Sequence, residues 1–319
     1  VRKVRYNERL YQHDCRKNMR MTFRRVGILG HPLRPTTGEI VGLVADSLRA
    51  RAIDTWQHAS WDAATVSPLV AGSDLVIAIG GDGAMLRAGR VCALANVPVL
   101  GINAGRLGFL TEVSPDNWNS ALDMLLAGQY WIERRMMIQT AAWRGDQHLY
   151  SGEALNDVVV SRGATAHSVV LETYIDQGWA TTYSADGLIV ATPTGSTAYA
   201  LAVGGPILPP ELKNILVVPV AAHLSFERPL VLSEGATVEI GVATEIPQTD
   251  VALIVDGERV TTLQDGDSVV VKASEHLSQF IRLRDRNYFY RSILDRMEPR
   301  MPARREPDGR HRSATTRKV

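Results

Sequence analysis

Five apolar residues, Leu75-Val-Ile-Ala-Ile79, stop at Gly80-Gly-Asp-Gly83, and a new apolar-periodic segment begins at Met85. This junction constrains the fold more than any other stretch of the chain. A continuous apolar run of strand length is buried on both faces. Three glycines then form a turn that leads into a helix. A strand buried on both faces needs helices on both sides, so the junction asks for a parallel, layered α/β sheet. The flanking segments repeat the pattern. Val26–Leu29 reads as a buried strand, Gly38–Ala50 as a one-faced helix, Met85–Leu94 as a helix and Pro98–Ile102 as a strand. Ser114 and Pro115 open a further helix as N-cap and first-turn proline, and Gly128 closes it. In such sheets ligands lie at the C-terminal ends of strands.

After Gln129 the pattern changes. Ile132–Trp143, Ala154–Ser161, Ser168–Ile175, Leu188–Ala191, Ile215–Val220, Thr237–Val242, Val251–Val255 and Ser268–Lys272 are β-branched-rich and separated by turn pairs such as Asp256-Gly257. The expectation is an α/β domain at 26–130, a β-rich domain at 131–280, and a return segment at 281–296, with a last strand at Phe280–Arg284. The ends differ from this body in charge. Residues 1–25 carry nine basic and two acidic side chains, and residues 297–319 carry seven and three. That leaves 19 basic and 29 acidic residues between 26 and 296, a net of −10. An acidic body argues against nucleic-acid binding. Both ends are read as basic, disordered arms; the first is also read as a mis-assigned start, with the ordered protein beginning near Met21. No apolar run approaches the roughly 20 residues of a spanning helix. No signal-peptide stretch follows the basic start, and two cysteines without zinc-site spacing fit a reduced, cytoplasmic chain.

Four segments could carry chemistry. Gly80-Gly-Asp-Gly83 brings backbone N–H groups and a helix start to an anion. It is neither a P-loop nor a G-x-G-x-x-G fingerprint. Its lone carboxylate, Asp82, would repel phosphate, so it suits orienting a metal or taking a proton from an attacking hydroxyl. A tight turn with Asp82 as helix N-cap fits the same four residues. Asn103-Ala-Gly-Arg-Leu-Gly-Phe-Leu110 follows the next strand and allows close backbone approach at Gly105 and Gly108; it also fits an ordinary loop. Thr192-Pro-Thr-Gly-Ser-Thr-Ala-Tyr199 offers four hydroxyls and an aromatic ring, suited to phosphate, ribose or base, or simply to a capped helix start. Asn156-Asp157 suits a ribose diol or a solvated strand end. His223 reads as structural, and Ser196 lies on no G-x-S-x-G elbow.

In order along the chain, these segments, with Asp186-Gly187, Gly204-Gly-Pro206 and His223…Arg228-Pro229, resemble the NAD kinase family from about Val26 to Arg296. The G-G-D-G turn itself is shared with diacylglycerol, sphingosine and 6-phosphofructo-kinases. The resemblance implies an NAD kinase/diacylglycerol kinase-like fold. It also implies transfer of the terminal phosphate of ATP, or of inorganic polyphosphate, to the 2′-hydroxyl of the adenosine ribose of NAD, giving NADP. It makes Asp82 the catalytic acid. Asp82, Gly83, Asn156, Asp157, His167, Ser184, Asp186, Thr197, Ala198, Tyr199, Ala202 and Glu258 become NAD contacts. Gly80, Gly81, Gly83, Arg87, Asn103 and Gly105 become phosphate or ATP contacts. It further implies a divalent cation (Mg or Mn) accompanying ATP, and a homodimer or homotetramer.

The chain departs from the family pattern at Ala84 for Thr, Ala200 and Ala202 for Ser, and Glu258 for Gln. A lipid kinase with the same turn would want an apolar acceptor channel. An oxidoreductase would want G-x-G-x-x-G. A catalytically silent NAD sensor would not need Asp82.

Overall fold

The computed structural model describes residues 22–30, 35–59, 62–104, 108–163, 167–223, 226–243 and 250–297. The basic segments 1–21 and 298–319, and Gly105, lie outside the described residues. The first half builds β1 (Arg25–Leu29), α1 (Pro35–Arg49), β2 (Asp54–His58), α2 (Ala63–Val70), β3 (Leu75–Gly80), α3 (Asp82–Leu94), β4 (Val99–Asn103) and α4 (Trp118–Leu126). The four strands are parallel in the order β2-β1-β3-β4. Every residue of β3 is buried, and its side chains divide between two cores. Leu75, Ile77 and Ile79 meet Val44, Ala45 and Leu48 of α1 and Leu122 of α4. Val76 and Ala78 meet Val66 and Val70 of α2 and Met85, Ala88 and Cys92 of α3. The apolar run is thus explained by helices on both faces.

Three helix starts differ from the sequence reading, the first being α1, which begins at Pro35 and not at Gly38. The helix expected from Met85 begins at Asp82, because Gly81 serves as its N-cap and glycine is tolerated in a first turn that has few helical bonds. The helix expected at Ser114 begins instead with a 3-10 turn at Pro115–Asn117, and Ser114 makes no side-chain cap.

The second half builds β5 (Trp131–Arg144), β6 (Gln147–Ala154), β7 (Asp157–Arg162), β8 (Val169–Ile175), β9 (Gly178–Ala185), β10 (Gly187–Ala191), α5 (Tyr199–Ala202), β11 (Asn214–Val220), β12 (Leu230–Ser233), β13 (Thr237–Val242), β14 (Val251–Val255), β15 (Glu258–Leu263) and β16 (Asp267–Arg282). Six of these strands form an antiparallel sheet, β12-β11-β10-β7-β14-β15. The others extend the parallel sheet through β4-β16-β13-β8-β9, with β5 and β6 added beside β16. Val158, Val160, Leu188, Val190, Val269 and Val271 belong to the apolar core of this half. The two strands expected at Ser268–Lys272 and Phe280–Arg284 are one strand, irregular between Ala273 and Leu277. Its end pairs with β4 through Phe280 and Val99. The described residues through Arg284 make one compact unit, and α6 (Tyr288–Met297) belongs to a second. Among the described residues no helix is long and apolar enough to cross a membrane.

Where β16 reaches the parallel sheet, it buries charge. Arg282 is fully buried. Its Nη2 lies 2.7 Å from Glu133 Oε2, and its Nη1 donates to the Leu110 carbonyl at 2.9 Å and to Glu112 Oε2 at 3.2 Å. Arg135 Nε also donates to Glu133, at 2.9 Å. Phe280 is flanked by both guanidinium groups, each 5.4 Å from its ring centre. Burial alone would raise the Glu133 carboxyl, but Arg135 and Arg282 outweigh it and hold the pKa at about 2. Glu112 also accepts the N–H groups of Leu283 and Arg284. This network clamps the loop that follows β4 to β5 and β16. Removing one partner strands buried charge, so Arg282→Ala is expected to cost about 3–5 kcal/mol of unfolding free energy in urea titrations.

Candidate active site

The turn after β3 places Asp82 at the first position of α3, with Gly81 (φ −98°, ψ −167°) before it. The carboxylate does not cap its own helix. It reaches across to the loop after β4, where Oδ2 accepts the Phe109 N–H at 2.8 Å and Oδ1 accepts the Leu110 N–H at 3.0 Å. Gly108 is required by this contact, since a Cβ there would lie 1.7 Å from Asp82 Oδ1. The Gly108 N–H in turn donates to Thr111 Oγ1 at 2.8 Å. Leu110, which meets Asp82, offers its carbonyl to Arg282. The buried ion network therefore supports the loop that orients Asp82.

A second turn lies at Leu155-Asn156-Asp157, between β6 and β7. Its three successive N–H groups donate to the carboxylate of Asp256, at 2.9, 2.7 and 3.2 Å. Asp256 sits in the left-handed region (φ +47°), and its side chain is only 2 % exposed. Burial pushes its carboxyl up, against the pull of the Leu155 and Asn156 N–H bonds and of Arg90, whose Nε is 3.7 Å away. Burial, with the neighbouring Asp256, pushes Asp157 up to about 7. Sequence reasoning missed Asp256 as a site residue. It read Asp256-Gly257 as a hairpin turn only, and no local pattern reports bonds to residues about a hundred positions earlier.

The Thr192–Tyr199 segment packs onto this turn. Thr192 donates its hydroxyl to the Leu155 carbonyl and its N–H to the Asn156 carbonyl. Gly195 abuts the same carbonyl, and a Cβ would come within 2.0 Å of the Asn156 oxygen. Ser196 is fully buried, donates to Pro193 O at 2.7 Å and accepts the Leu208 N–H at 2.9 Å. Thr197 donates to the Thr194 carbonyl at 3.1 Å. The hydroxyls that look like ligand groups in the sequence are thus committed to shaping the segment. Tyr199 and Ala202 remain exposed, and Ala198 is half-buried.

Between the two turns lies a pocket of about 250 Å³, lined by Gly81, Gly83, Ala84, Leu86, Arg87, Arg90, Asp256 and Glu258. Arg87 pairs with Glu258 across it at 3.0 Å, both side chains about half exposed. Gly80 and Asn103 stand side by side at the ends of β3 and β4. The structure therefore gathers Gly80, Gly81, Asp82, Gly83, Arg87, Asn103 and Glu258 around the G-G-D-G turn, with Asn156 and Asp157 joined to the pocket through Asp256.

It does not gather Asp186, Ser184 and His167 there. Asp157 pairs with Ala191, at the far end of β10 from Asp186. Five residues of strand separate those levels, about 16 Å. Asp186 instead pairs with Arg162 at 2.8 Å, and the Ser184 carbonyl accepts the His223 N–H at 2.7 Å. His167 is exposed. Among the described residues no three His, Cys, Asp or Glu side chains form a metal cluster.

Family models match both halves of the chain. The ATP-NAD kinase N-terminal domain covers residues 28–130, and the ATP-NAD kinase C-terminal domain covers residues 155–283. The NAD kinase of Chloroflexus aurantiacus is 40 % identical over 273 residues, which is 86 % of this chain and 98 % of that protein. The NAD kinase of Moorella thermoacetica is 44 % identical over 223 residues, 70 % of each chain. In fold, the chain is similar to yeast NADH kinase complexed with NADH, with a TM-score of 0.72, 24 % identity, and coverage of 86 % of this chain and 87 % of that one. It is also similar to an Archaeoglobus fulgidus NAD kinase in complex with ATP, with a TM-score of 0.65, 23 % identity, and coverage of 84 % and 97 %.

Two predictions follow from the second turn. A carboxyl whose pKa is raised by folding contributes stability that is complete below its unfolded value of about 3.9 and is lost as pH rises through its folded value. For Asp157 that folded value is about 7. Unfolding free energy is expected to fall between about pH 4 and pH 7, and Asp157→Asn to flatten that decline. Gly195→Ala forces a methyl group against backbone, and urea titration is expected to show a loss of about 1–3 kcal/mol.

Proposed function

The chain belongs to the NAD kinase family, and from that premise we propose that it transfers the terminal phosphate of ATP to the 2′-hydroxyl of the adenosine ribose of NAD, giving NADP. The observation that carries this is Asp82, an acid fixed by two loop N–H groups beside a glycine- and arginine-lined pocket. A carboxylate has about four lone-pair sites. Two are used by Phe109 and Leu110, which leaves the others to receive the proton of an acceptor hydroxyl. The Ala84 N–H donates to the Gly81 carbonyl, while the N–H groups of Asp82 and Gly83 begin α3 at the positive end of the helix dipole. With Arg87 and Arg90 they suit the charge of a phosphate chain. Asn156 and Asp157 address the ribose and adenine, and Thr197–Tyr199 the dinucleotide.

The residues present fit a magnesium ion held chiefly by donor phosphates, as is usual for this ion. Glu258, half exposed on the pocket wall, is the side chain that would share it. When bound, the ion supplies charge neutralisation for the phosphate chain. A lipid acceptor is disfavoured by a pocket whose walls carry two arginines and two carboxylates, and a silent sensor by the retained Asp82.

We further propose a homodimer or homotetramer in which Asp186, Ser184 and His167 serve the site of a second copy. The distance of Asp186 along β10 from the level of Asp157 supports this. Among the described residues Cys92 is a buried free thiol, which fits a reduced, cytoplasmic setting.

Purified protein incubated with NAD, ATP and Mg²⁺ is expected to form NADP, read with an NADP-specific dehydrogenase. Absence of NADP from folded protein would overturn the reading. Asp82→Asn is expected to lower kcat by roughly 10²–10⁴-fold while leaving NAD binding intact.

A further inference from the structure

The Leu155–Asp157 turn enters β7 between that strand's two neighbours in the antiparallel sheet, β10 and β14. Each neighbour ends beside the turn and holds one of its polar edges. From the end of β10, Thr192 donates its N–H to the Asn156 carbonyl at 2.9 Å and its hydroxyl to the Leu155 carbonyl. From the end of β14, Asp256 accepts the N–H groups: Leu155 at Oδ2, and both Asn156 and Asp157 at Oδ1. Asp256 also donates its own N–H to the Asp157 carbonyl at 2.9 Å. Asp256 and Gly257 are both left-handed, at φ +47° and +81°, the conformation of a two-residue hairpin turn.

A carboxylate on the wall of a phosphate pocket invites reading as a metal ligand or a proton acceptor. Asp256 has little capacity left for either. A carboxylate has about four lone-pair sites, and here three N–H groups take three of them. Arg90 Nε stands 3.7 Å from Oδ2, and the side chain is 2 % exposed. Arg90 belongs to α3, the helix that begins at Asp82, and lies about 12 Å along its axis from that acid. One buried side chain therefore ties the Asn156–Asp157 turn to the helix that carries Asp82.

We propose that Asp256 is a positioning residue for the transfer, setting the Asn156–Asp157 turn, and with it the acceptor ribose, against α3. The inference rests on the kinase reading above, in which that turn addresses the ribose. Transfer needs the acceptor oxygen within about 3–3.5 Å of the phosphorus, and a misplacement of about 1 Å costs about 100-fold in rate. Asp256 acts through backbone that it holds, without touching the reacting atoms.

The test compares wild type with two variants whose new residues tolerate the left-handed backbone. Asp256→Asn keeps the shape and one acceptor oxygen, and turns an NH₂ donor toward a backbone donor. Asp256→Gly removes every side-chain acceptor. Steady-state assays give kcat and the KM for NAD and for ATP, calorimetry gives Kd for NAD, and amide hydrogen exchange reads protection at Leu155–Asp157. Asp256→Asn is expected to lower kcat/KM for NAD by about tenfold and to raise Kd for NAD by about fivefold or more. Asp256→Gly is expected to lower kcat/KM for NAD by about 100-fold. In both, KM for ATP stays within about twofold of wild type and the three amides exchange faster. If Asp256→Gly does not fold, Asp256→Asn decides alone. A loss of stability with kcat/KM and Kd for NAD unchanged makes the residue merely structural and overturns the proposal. So does a loss that added Mg²⁺ restores, which would make Asp256 a metal ligand, or a rise confined to KM for ATP. If wild type binds NAD but forms no NADP, the kinase reading fails by itself; the Kd values then decide, a rise in Asp256→Asn supporting the positioning role and no change overturning it. Wild type that does not bind NAD overturns both.

Discussion

Arg282 is a guanidinium sealed from solvent, and the geometry of the site depends on it. A buried charge is tolerated only when its partners are in place, and here those partners come from three separate elements. Glu133 lies on β5, Glu112 and the Leu110 carbonyl belong to the loop after β4, and Arg282 itself ends β16. Satisfying the charge therefore fixes the loop, and the loop N–H groups at 109 and 110 fix Asp82. The acid that the sequence presents as part of a four-residue turn is oriented by contacts 27 and 28 residues away, and these rest on a residue 200 positions away. Burying an ion network is not the most stabilising use of a core. Its return here is a defined direction for one carboxylate.

That chain of dependence marks what was legible in the sequence. Leu75–Ile79 announced its two covered faces, because alternation is absent when both sides are dry. The junction with Gly80–Gly83 announced a strand passing into a helix. The ordered motif series pointed to the family. Other elements left weaker marks. β2 (Asp-Thr-Trp-Gln-His) and β6 are half-buried edge segments with mixed polarity, so neither periodicity stands out. β16 reads as two strands because Ser274-Glu-His276 interrupts its apolar pattern at the irregular pairing. Asp256 was invisible as a site residue, since its bonds are entirely long-range. The hydroxyl-rich Thr192–Thr197 stretch leaves ligand contact and local capping equally open in the sequence. Thr192, Ser196 and Thr197 hold backbone in place, and the function of the segment lies in the shape they maintain.

The charge distribution has a similar lesson. A body of net −10 surrounds a pocket suited to anions, so attraction to phosphate is local: two arginines, a helix start and backbone donors. Glu258 tempers even this, because it pairs with Arg87. The pair is half exposed and contributes little to folding. Its effect falls on ligand charge, since a phosphate chain and Glu258 compete for the same guanidinium.

β16 has a mechanical consequence. One sixteen-residue strand carries the ladder from the antiparallel half to the parallel sheet, with β5 paired along both its ends. Two lobes joined by such a spine cannot open like jaws about a flexible linker without tearing backbone bonds. The walls of the site behave as a fixed frame, and any gating of substrates must be the work of the loops mounted on it.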